Sequence, residues 1–274
     1  MIDYPIEIQN ISFSYDEKEI FHNCSLNVNY GEIFCLMGRN GCGKSTMIDS
    51  ILGINNISSG SITICGQDLK KYSPSTLAKH ISYVPQNYEK SFPYTVRQLI
   101  LMGRTVHTGL FGNYSSNDYD TVDSVMKEIG IYHLKDRPYT NVSGGEMQMI
   151  MLCRALVQET EIIIMDEPTS HLDYYNELLF LENVIKLVKD KKKTIFMATH
   201  SPNQPFFMES KGIPVRVCLM KDGSIKTIGK PSEILTVENI KDTYSINSII
   251  TGEKNLKAVL PVNTIKGDFN EERN

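Results

Sequence analysis

The chain has 274 residues, of which 41% are hydrophobic and 22% are charged, and its formal net charge is −4. This composition argues against global disorder, and the slight acidic excess argues against a nucleic-acid partner. The apolar runs stop after four or five residues, whereas a membrane-spanning helix needs roughly 20, and no signal-peptide pattern opens the chain. The six cysteines form no CxxC pair, so we expect reduced, mostly buried thiols.

The chain begins as β-structure and then alternates strands with helices. Alternating apolar residues predict strands between residues 6 and 28, and the continuous apolar run at 32–37 predicts a strand buried on both faces. A glycine-rich loop at 38–43 leads into an apolar helix. Later strands are predicted at 61–64, 81–84, 162–165, 194–198 and 215–220. This alternation predicts an α/β fold with a mostly parallel core sheet.

The segment at about 88–156 interrupts this alternation with helices. Residues 95–98 and 143–146 are capping-box patterns, in which a Ser or Thr and a Gln or Glu three positions later satisfy backbone N–H groups at a helix start. We therefore expect an α-helical subdomain inserted in a domain that spans 1–262. The polar residues 263–274 are expected to form a C-terminal tail.

Residues 38–45 read Gly-Arg-Asn-Gly-Cys-Gly-Lys-Ser and match the phosphate-binding pattern G-x-x-x-x-G-K-[ST]. In such a loop the backbone N–H groups surround phosphates, Lys44 reaches the β- and γ-phosphates, and Ser45 offers its hydroxyl to Mg²⁺. A plain glycine-rich turn is the alternative, but a buried strand before the loop and a helix after it favour nucleotide binding. The candidate nucleotide ligands are Gly38, Asn40, Gly41, Cys42, Gly43, Lys44, Ser45 and Thr46.

The apolar strand at 162–165 ends in two carboxylates, Asp166 and Glu167. An apolar run followed by acids is usually only a strand end. Together with the phosphate-binding loop, however, it predicts that Asp166 holds Mg²⁺ and that Glu167 polarises the attacking water. ATP and Mg²⁺ are therefore the expected cofactors.

Further segments follow the order of motifs in one family. Residues 142–146, Val-Ser-Gly-Gly-Glu, lie upstream of residues 166–169, Asp-Glu-Pro-Thr, and resemble the signature and Walker B motifs of ABC-type ATPases. Gln86 resembles the Q-loop glutamine, residues 170–173 resemble the D-loop, and His200 resembles the switch histidine. Tyr15 lies where this family places an aromatic residue that stacks on adenine. The resemblance covers roughly residues 4–262 and implies a P-loop NTPase fold with an antiparallel N-terminal β subdomain.

The resemblance also implies roles for single residues. The implied catalytic residues are Glu167, His200 and Gln86, and the implied Mg²⁺ ligands are Ser45, Gln86 and Asp166. The implied nucleotide contacts beyond the phosphate-binding loop are Tyr15, Ser143, Gly144, Gly145, Glu146 and Asp173. Because one chain carries one phosphate-binding loop and one signature motif, the resemblance implies a two-fold homodimer with two ATP molecules in its interface.

Three segments resemble importers within this family. Residues 166–173 and 101–107 resemble the corresponding segments of ATPases that serve iron-siderophore, haem and cobalamin uptake, and of their molybdate relatives, and residues 237–262 resemble their C-terminal strands. This implies an ATPase subunit at the cytoplasmic face of the membrane, bound to two polytopic permease subunits and served indirectly by a substrate-binding protein. The alternative is a soluble ABC ATPase that acts on a protein or iron–sulfur scaffold.

Three positions depart from the usual motifs. Val142 replaces Leu and Glu146 replaces Gln in the signature motif, and Cys42 stands where Ala or Ser is more common. Because a thiol at a helix N-terminus should have a lowered pKa, we expect N-ethylmaleimide to react with Cys42 and inhibit the protein, and ATP to protect it.

Overall fold

The computed structural model describes residues 4–88, 92–108, 112–253 and 256–265. The strands are β1 (Ile6–Tyr15), β2 (Lys18–Val28), β3 (Ile33–Met37), β4 (Ser59–Ile64), β5 (Gln67–Asp68), β6 (Ile81–Val84), β7 (Ile162–Asp166), β8 (Thr194–Thr199), β9 (Val215–Lys221), β10 (Ser224–Gly229), β11 (Ile246–Glu253) and β12 (Leu256–Thr264). The helices are α1 (Lys44–Ile51), α2 (Pro74–Leu77), α3 (Val96–Leu101), α4 (Thr105–Thr108), α5 (Ser116–Ile129), α6 (Gly144–Leu156), α7 (Tyr174–Lys191), α8 (Asn203–Ser210), α9 (Pro231–Ile234) and α10 (Val237–Tyr244).

The core is a six-stranded sheet in the order β10-β9-β3-β8-β7-β6. The five strands from β9 to β6 are parallel, and only β10 is antiparallel to its neighbour. Every residue of β3, β7 and β8 is buried, because helices or the second sheet cover both faces. The predicted α/β fold with a mostly parallel core sheet is confirmed. The ends of β3, β7 and β8 that carry the site therefore lie at one edge of the sheet.

A second, antiparallel sheet has the order β2-β1-β4-β5. Its inward side chains, among them Ile8 and Phe21, pack with α1 and one face of the core sheet in a single hydrophobic cluster. The predicted antiparallel N-terminal subdomain is thus confirmed. Its packing fixes the start of α1 relative to β2.

Helices α3, α4, α5 and α6 lie between β6 and β7, in the predicted position of the helical insertion. Arg104 is buried among them. Its guanidinium donates to Asp118 Oδ1 at 2.8 Å and to the Val157 carbonyl at 2.7 Å, which ties the segment after α3 to α5 and to the end of α6. Within the segment 101–107, Arg104 therefore has a structural role, because it connects that segment to two helices. The boundaries near residues 88 and 156 stay a prediction.

The C-terminal region differs from the expectation of strands throughout 237–262. Residues 237–244 form α10, with Thr236 Oγ1 accepting from the Asn239 N–H, and only then does the β11–β12 hairpin begin. The hairpin extends to Thr264, two residues beyond the predicted end of the domain at 262. The remaining tail, 266–274, lies outside the described residues. Within the described ranges, no helix is both long enough and apolar enough to cross a lipid bilayer.

Candidate nucleotide site

The phosphate-binding loop connects β3 to α1 at the carboxyl edge of the core sheet. Gly43 is the N-cap of α1 and has a φ of 104°, a left-handed conformation that favours glycine. Gly38 is required for a different reason, since a Cβ there would lie 2.3 Å from the carbonyl oxygen of Met220 on β9. The loop thus combines a left-handed turn with close packing against a neighbouring strand.

Lys44 lies inside this loop and is only 5% exposed. Its Nζ donates to the carbonyl oxygen of Gly38 at 3.0 Å and to that of Arg39 at 3.3 Å, and it lies 3.3 Å from Glu167 Oε1. These contacts satisfy the buried ammonium group and hold it at the mouth of the loop. A phosphate group carries a full negative charge and would compete well with the two carbonyl oxygens.

The start of α1 has no side-chain cap, so its first N–H groups are open to a ligand. These groups and the positive end of the helix dipole favour an anion. They face a cavity of about 420 Å³. Its lining residues are Lys18, Ile20, Asn40, Gly41, Gly43, Lys44, Ser45, Thr46, Gln86 and Glu167. The cavity therefore has the donors that a polyphosphate requires.

Asp166 ends β7 beside this cavity and is almost fully buried. Burial raises the pKa of its carboxyl group, although a hydrogen bond from the Ser45 hydroxyl lowers it in part. Its Oδ1 is buried without a hydrogen-bond partner. A carboxylate with an unsatisfied oxygen next to a serine hydroxyl is a suitable oxygen donor set for Mg²⁺.

The described residues contain no cluster of three or more His, Cys, Asp or Glu side chains that could hold a metal ion. In nucleotide sites Mg²⁺ is usually held by one or two protein groups together with substrate phosphates and water. Ser45 and Asp166 therefore fit a Mg²⁺ ion that arrives with ATP.

Glu167 brings the predicted catalytic residues together. Its Oε2 accepts a hydrogen bond from Gln86 Nε2 at 3.4 Å and lies 3.1 Å from His200 Nδ1, while its Oε1 faces Lys44. Its φ of 42° is unusual for a residue with a side chain, and its N–H donates to the Ala198 carbonyl at 3.0 Å. Strained backbone of this kind is often found at functional sites. Residues far apart in the chain thus meet at one carboxylate.

Tyr15 lies at the end of β1 and is half exposed. Its ring contacts Phe13 edge-on with centroids 4.7 Å apart, and its hydroxyl accepts a hydrogen bond from Asn55. It does not line the phosphate cavity described above. The adenine contact stays a prediction.

The predicted signature residues lie at the start of α6, away from this cavity. Ser143 and Glu146 form the predicted capping box: Glu146 Oε2 accepts from the Ser143 N–H at 2.7 Å, and Ser143 Oγ accepts from the Glu146 N–H at 3.2 Å. These bonds from Ser143 lower the pKa of Glu146. A Cβ on Gly144 would meet no atom within 4 Å, so the helix start is open to its surroundings.

Asp173 caps the neighbouring helix α7 and is exposed. It accepts hydrogen bonds from the backbone and the side chain of Asn176. The Asn176 side chain in turn packs so closely on Gly145 that a Cβ there would lie 2.5 Å from it. The starts of α6 and α7 therefore form one surface, which we call the signature surface (Ser143 to Glu146 and Asp173).

The expected lowering of the Cys42 pKa is wrong. Burial raises the pKa of this thiol, and this effect exceeds the lowering by Lys44 and by nearby backbone N–H groups. The side chain is only 7% exposed, and a Cβ on Gly38 would lie 2.6 Å from its sulfur. The thiol is therefore packed against Gly38, and desolvation outweighs the effect of the helix start on its pKa.

The sequence did not indicate Gln204, a buried residue near the site. It contacts Thr169, Glu177 and Thr199 with its side-chain amide. No motif contains it, and only its position shortly after His200 could have drawn attention to it.

Comparisons with known proteins agree with this geometry. A family model described as ABC transporter matches residues 21–170. A molybdate import ATP-binding protein from Haemophilus influenzae is 33% identical over 242 residues, which are 88% of this chain and 88% of that protein. An iron(3+)-hydroxamate import ATP-binding protein from Bacillus subtilis is 28% identical over 255 residues, 93% of each chain.

A solved structure agrees as well. It is described as an ABC transporter of metal-chelate type in an inward-facing conformation, with a TM-score of 0.82 and 30% identity over 95% of this chain and 98% of that chain. The match of the family model spans more than half of the chain and includes the phosphate-binding loop, the signature residues and Glu167. The chain therefore belongs to the ABC transporter family, as one of its ATP-binding subunits that hydrolyse ATP.

Proposed function

We propose that this chain supplies the energy for an ABC importer that carries a metal chelate. The observation that carries the catalytic part is the Glu167 carboxylate, which lies within 3.4 Å of polar atoms of Lys44, Gln86 and His200. A carboxylate in that position can accept the proton of a water molecule as the water attacks the γ-phosphate of ATP. ADP and inorganic phosphate are the products.

The other site residues bind and orient. Lys44 and the N-terminal N–H groups of α1 bind the β- and γ-phosphates, and His200 and Gln86 hold Glu167 in place and donate to the phosphate or the water. Ser45 and Asp166, with Gln86 as a further candidate, would hold Mg²⁺. Bound Mg²⁺ supplies positive charge that neutralises phosphate oxygens.

We further propose that two copies of the chain form a homodimer. The signature surface is a helix start suited to an anion, yet it does not line the phosphate cavity of its own chain. A two-fold arrangement would bring it to the ATP bound by the other copy. Tyr174 and Tyr175, next to Asp173, are 88% and 74% exposed, which supports a contact surface there.

The membrane partner is proposed to be a pair of polytopic permease subunits, with a substrate-binding protein acting indirectly. Phe92 and Tyr94, which follow Gln86 in the chain, are large and exposed, with ring centroids 5.9 Å apart. Such an aromatic patch beside the helical subdomain can transmit the movement of Gln86 to a bound permease. The chain would then lie at the cytoplasmic face of the membrane.

The chelate class rests on the relatives. They are named for the import of molybdate and of iron(3+)-hydroxamate, and the solved structure is described as a metal-chelate type transporter. We infer an iron-siderophore, haem or cobalamin type of chelate for this chain. The alternative, a soluble ABC ATPase that acts on a protein or iron–sulfur scaffold, is the other outcome of the following test.

The test is recovery of a tagged Glu167→Gln protein from gently solubilised native membranes with ATP and Mg²⁺. The variant should bind ATP and turn over very slowly, and so hold the closed dimer on its membrane partner. The control is Glu161→Gln, which makes the same chemical change at an exposed position before β7. It should hydrolyse ATP at the wild-type rate. A stoichiometric polytopic protein supports the importer. Recovery from the soluble fraction alone, bound to a protein or iron–sulfur scaffold, would overturn it.

Testing the substrate class requires the purified complex of ATPase and permease subunits in proteoliposomes. ATP turnover is measured with the cognate binding protein loaded with a ferric hydroxamate, haem, cobalamin or molybdate in turn. Stimulation by one of the three chelates supports the proposed class. Stimulation by molybdate alone would contradict it.

A further inference from the structure

A buried amide outside the phosphate cavity connects three elements that carry site residues. Gln204 lies at the start of α8 and is 4% exposed. Its Oε1 accepts from Thr199 Oγ1 at 2.7 Å, and its Nε2 donates to Thr169 Oγ1 at 2.7 Å and to Glu177 Oε1 at 2.6 Å. The amide thus uses both donor hydrogens and its acceptor, so it has one well-defined orientation.

The first connection is to the loop that carries His200. Thr199 ends β8 immediately before His200, and its hydroxyl oxygen also accepts from the Ser201 N–H at 3.1 Å. Gln204 follows on α8. The amide therefore closes the loop 199–204 on both sides of His200. The imidazole itself is more than half exposed, so packing does little to fix it.

The other connections are to the turn after Glu167 and to α7. Thr169 lies two residues after Glu167, in a turn where the Ser170 N–H donates to the Glu167 carbonyl at 3.2 Å. Glu177 lies in the first turn of α7, and its N–H donates to the carbonyl of the capping residue Asp173 at 2.9 Å. One side chain therefore fixes three elements relative to one another.

We propose that Gln204 is a positioning residue that holds the His200 loop in register with Glu167 and with the helix capped by Asp173. The inference rests on the proposed roles of His200 and Glu167 in ATP hydrolysis. His200 Nδ1 lies 3.1 Å from Glu167 Oε2. Among the described residues, the backbone joins the two segments only before the loop, where the Glu167 N–H donates to the Ala198 carbonyl at 3.0 Å, and the Gln204 amide adds a connection from the far side of His200 to Thr169. A displacement of about 1 Å in a catalytic group can reduce a rate by about 100-fold.

The test substitutes Gln204→Met, which keeps the length of the side chain but removes its hydrogen bonds. We expect kcat to fall at least about tenfold while KM for ATP stays within about twofold, because the loss is confined to the transition state. Gln158→Met is the matched control. Gln158 Nε2 donates to the carbonyl oxygens of Ala78 and Ile81 at the start of β6, whereas the site lies at the carboxyl ends of the strands. The control variant should lower Tm comparably and leave kcat within about twofold.

A double-mutant cycle separates positioning from a purely structural role. In a His200→Ala background, measured by single turnover at high protein concentration, Gln204→Met should reduce the rate by less than about twofold further, because its effect acts through His200. A full, additive loss would overturn the inference. If His200→Ala keeps the wild-type kcat, the proposed role of His200 fails; if only Gln204→Met keeps it, the inference alone fails.

Amide hydrogen exchange supplies a readout that does not depend on turnover. In the full-length Gln204→Met protein, residues 199–204 should exchange at least about tenfold faster than in the wild type, because the loop opens locally. The Gln158→Met control should leave exchange there unchanged. Unchanged exchange in Gln204→Met would overturn the proposal.

Discussion

The starts of α1 and α6 both present backbone N–H groups, which favour an anion, but only the start of α6 has a side-chain cap. At α1 the first N–H groups have no side-chain cap, and the buried Lys44 lies beside them. At α6 the Ser143–Glu146 capping box pairs the backbone N–H groups of those two residues, and both residues are more accessible than Lys44. The first start faces a cavity of its own chain, whereas at the second the cap involves only the N–H groups of Ser143 and Glu146 and leaves those of Gly144 and Gly145 outside it.

From this difference we expect the two helix starts to have different roles, nucleotide affinity at α1 and closure of the dimer at α6. A helix start with open donors next to a fixed ammonium group can bind polyphosphate within one chain. At the capped start a phosphate has to compete with the Glu146 carboxylate for the N–H and the hydroxyl of Ser143. The phosphate-binding loop should therefore determine nucleotide affinity, and the signature surface should determine dimer closure and turnover.

The largest expected effect is that of Lys44→Ala. It removes a charge-assisted bond to phosphate, so ATP affinity should fall by about 10- to 100-fold in the monomer as well as in the dimer. Titration with a fluorescent ATP analogue measures this change. Lys79→Ala, at an exposed lysine away from the cavity, should bind the analogue like the wild type. Wild-type affinity in Lys44→Ala would remove the phosphate-binding loop from the mechanism.

The second effect is that of Ser143→Ala, which should leave ATP affinity of the monomer unchanged but reduce turnover by at least about tenfold. The loss of the helix cap should also destabilise the fold by about 1 kcal/mol. Ser115→Ala removes the Ser of an equivalent capping box at the start of α5. That control should show a similar loss of stability with normal turnover. A turnover loss of equal size in both variants would contradict a special role for the signature surface.

A smaller effect is expected from Glu146→Gln, which keeps the capping geometry and removes a negative charge. ATP-dependent dimerisation, measured by analytical ultracentrifugation, should tighten by about fivefold, the equivalent of about 1 kcal/mol. The hydrogen bonds from Ser143 lower the pKa of Glu146, so the Glu146 carboxylate stays ionised down to a lower pH than an ordinary glutamate does. The difference between variant and wild type should therefore be constant from pH 6 to pH 8. A difference that grows or disappears in this range would show that another group is responsible.

The smallest effect concerns Cys42, the thiol nearest the open start of α1. Its raised pKa means that the thiolate is scarcer than in an ordinary cysteine at neutral pH, so N-ethylmaleimide should label it slowly and faster as the pH increases. Mass spectrometry of the modified peptide over time, with and without ATP, measures this. Rapid stoichiometric labelling at pH 7 that ATP prevents would restore the original expectation from the helix dipole.

Sequence patterns predicted the groups that act locally. The phosphate-binding loop, both capping boxes and the pair Asp166 and Glu167 depend on spacing within a few residues, and each forms as expected. The α/β fold also followed from periodicity, since β3 and β7 are continuous apolar runs buried on both faces. The order of the motifs along the chain was sufficient to indicate the family.

The rest required the tertiary structure, because it depends on contacts between distant residues and on exclusion of water. Glu167 meets Gln86 across 81 positions and His200 across 33. Gln204 belongs to no motif, and its importance lies only in the elements that its amide joins. The pKa of Cys42 is raised rather than lowered because the effect of burial exceeds that of the helix start, and sequence spacing does not reveal how deeply a side chain is buried. Sequence therefore determined which chemical groups this protein carries, and folding decided which of them meet and how far water reaches them.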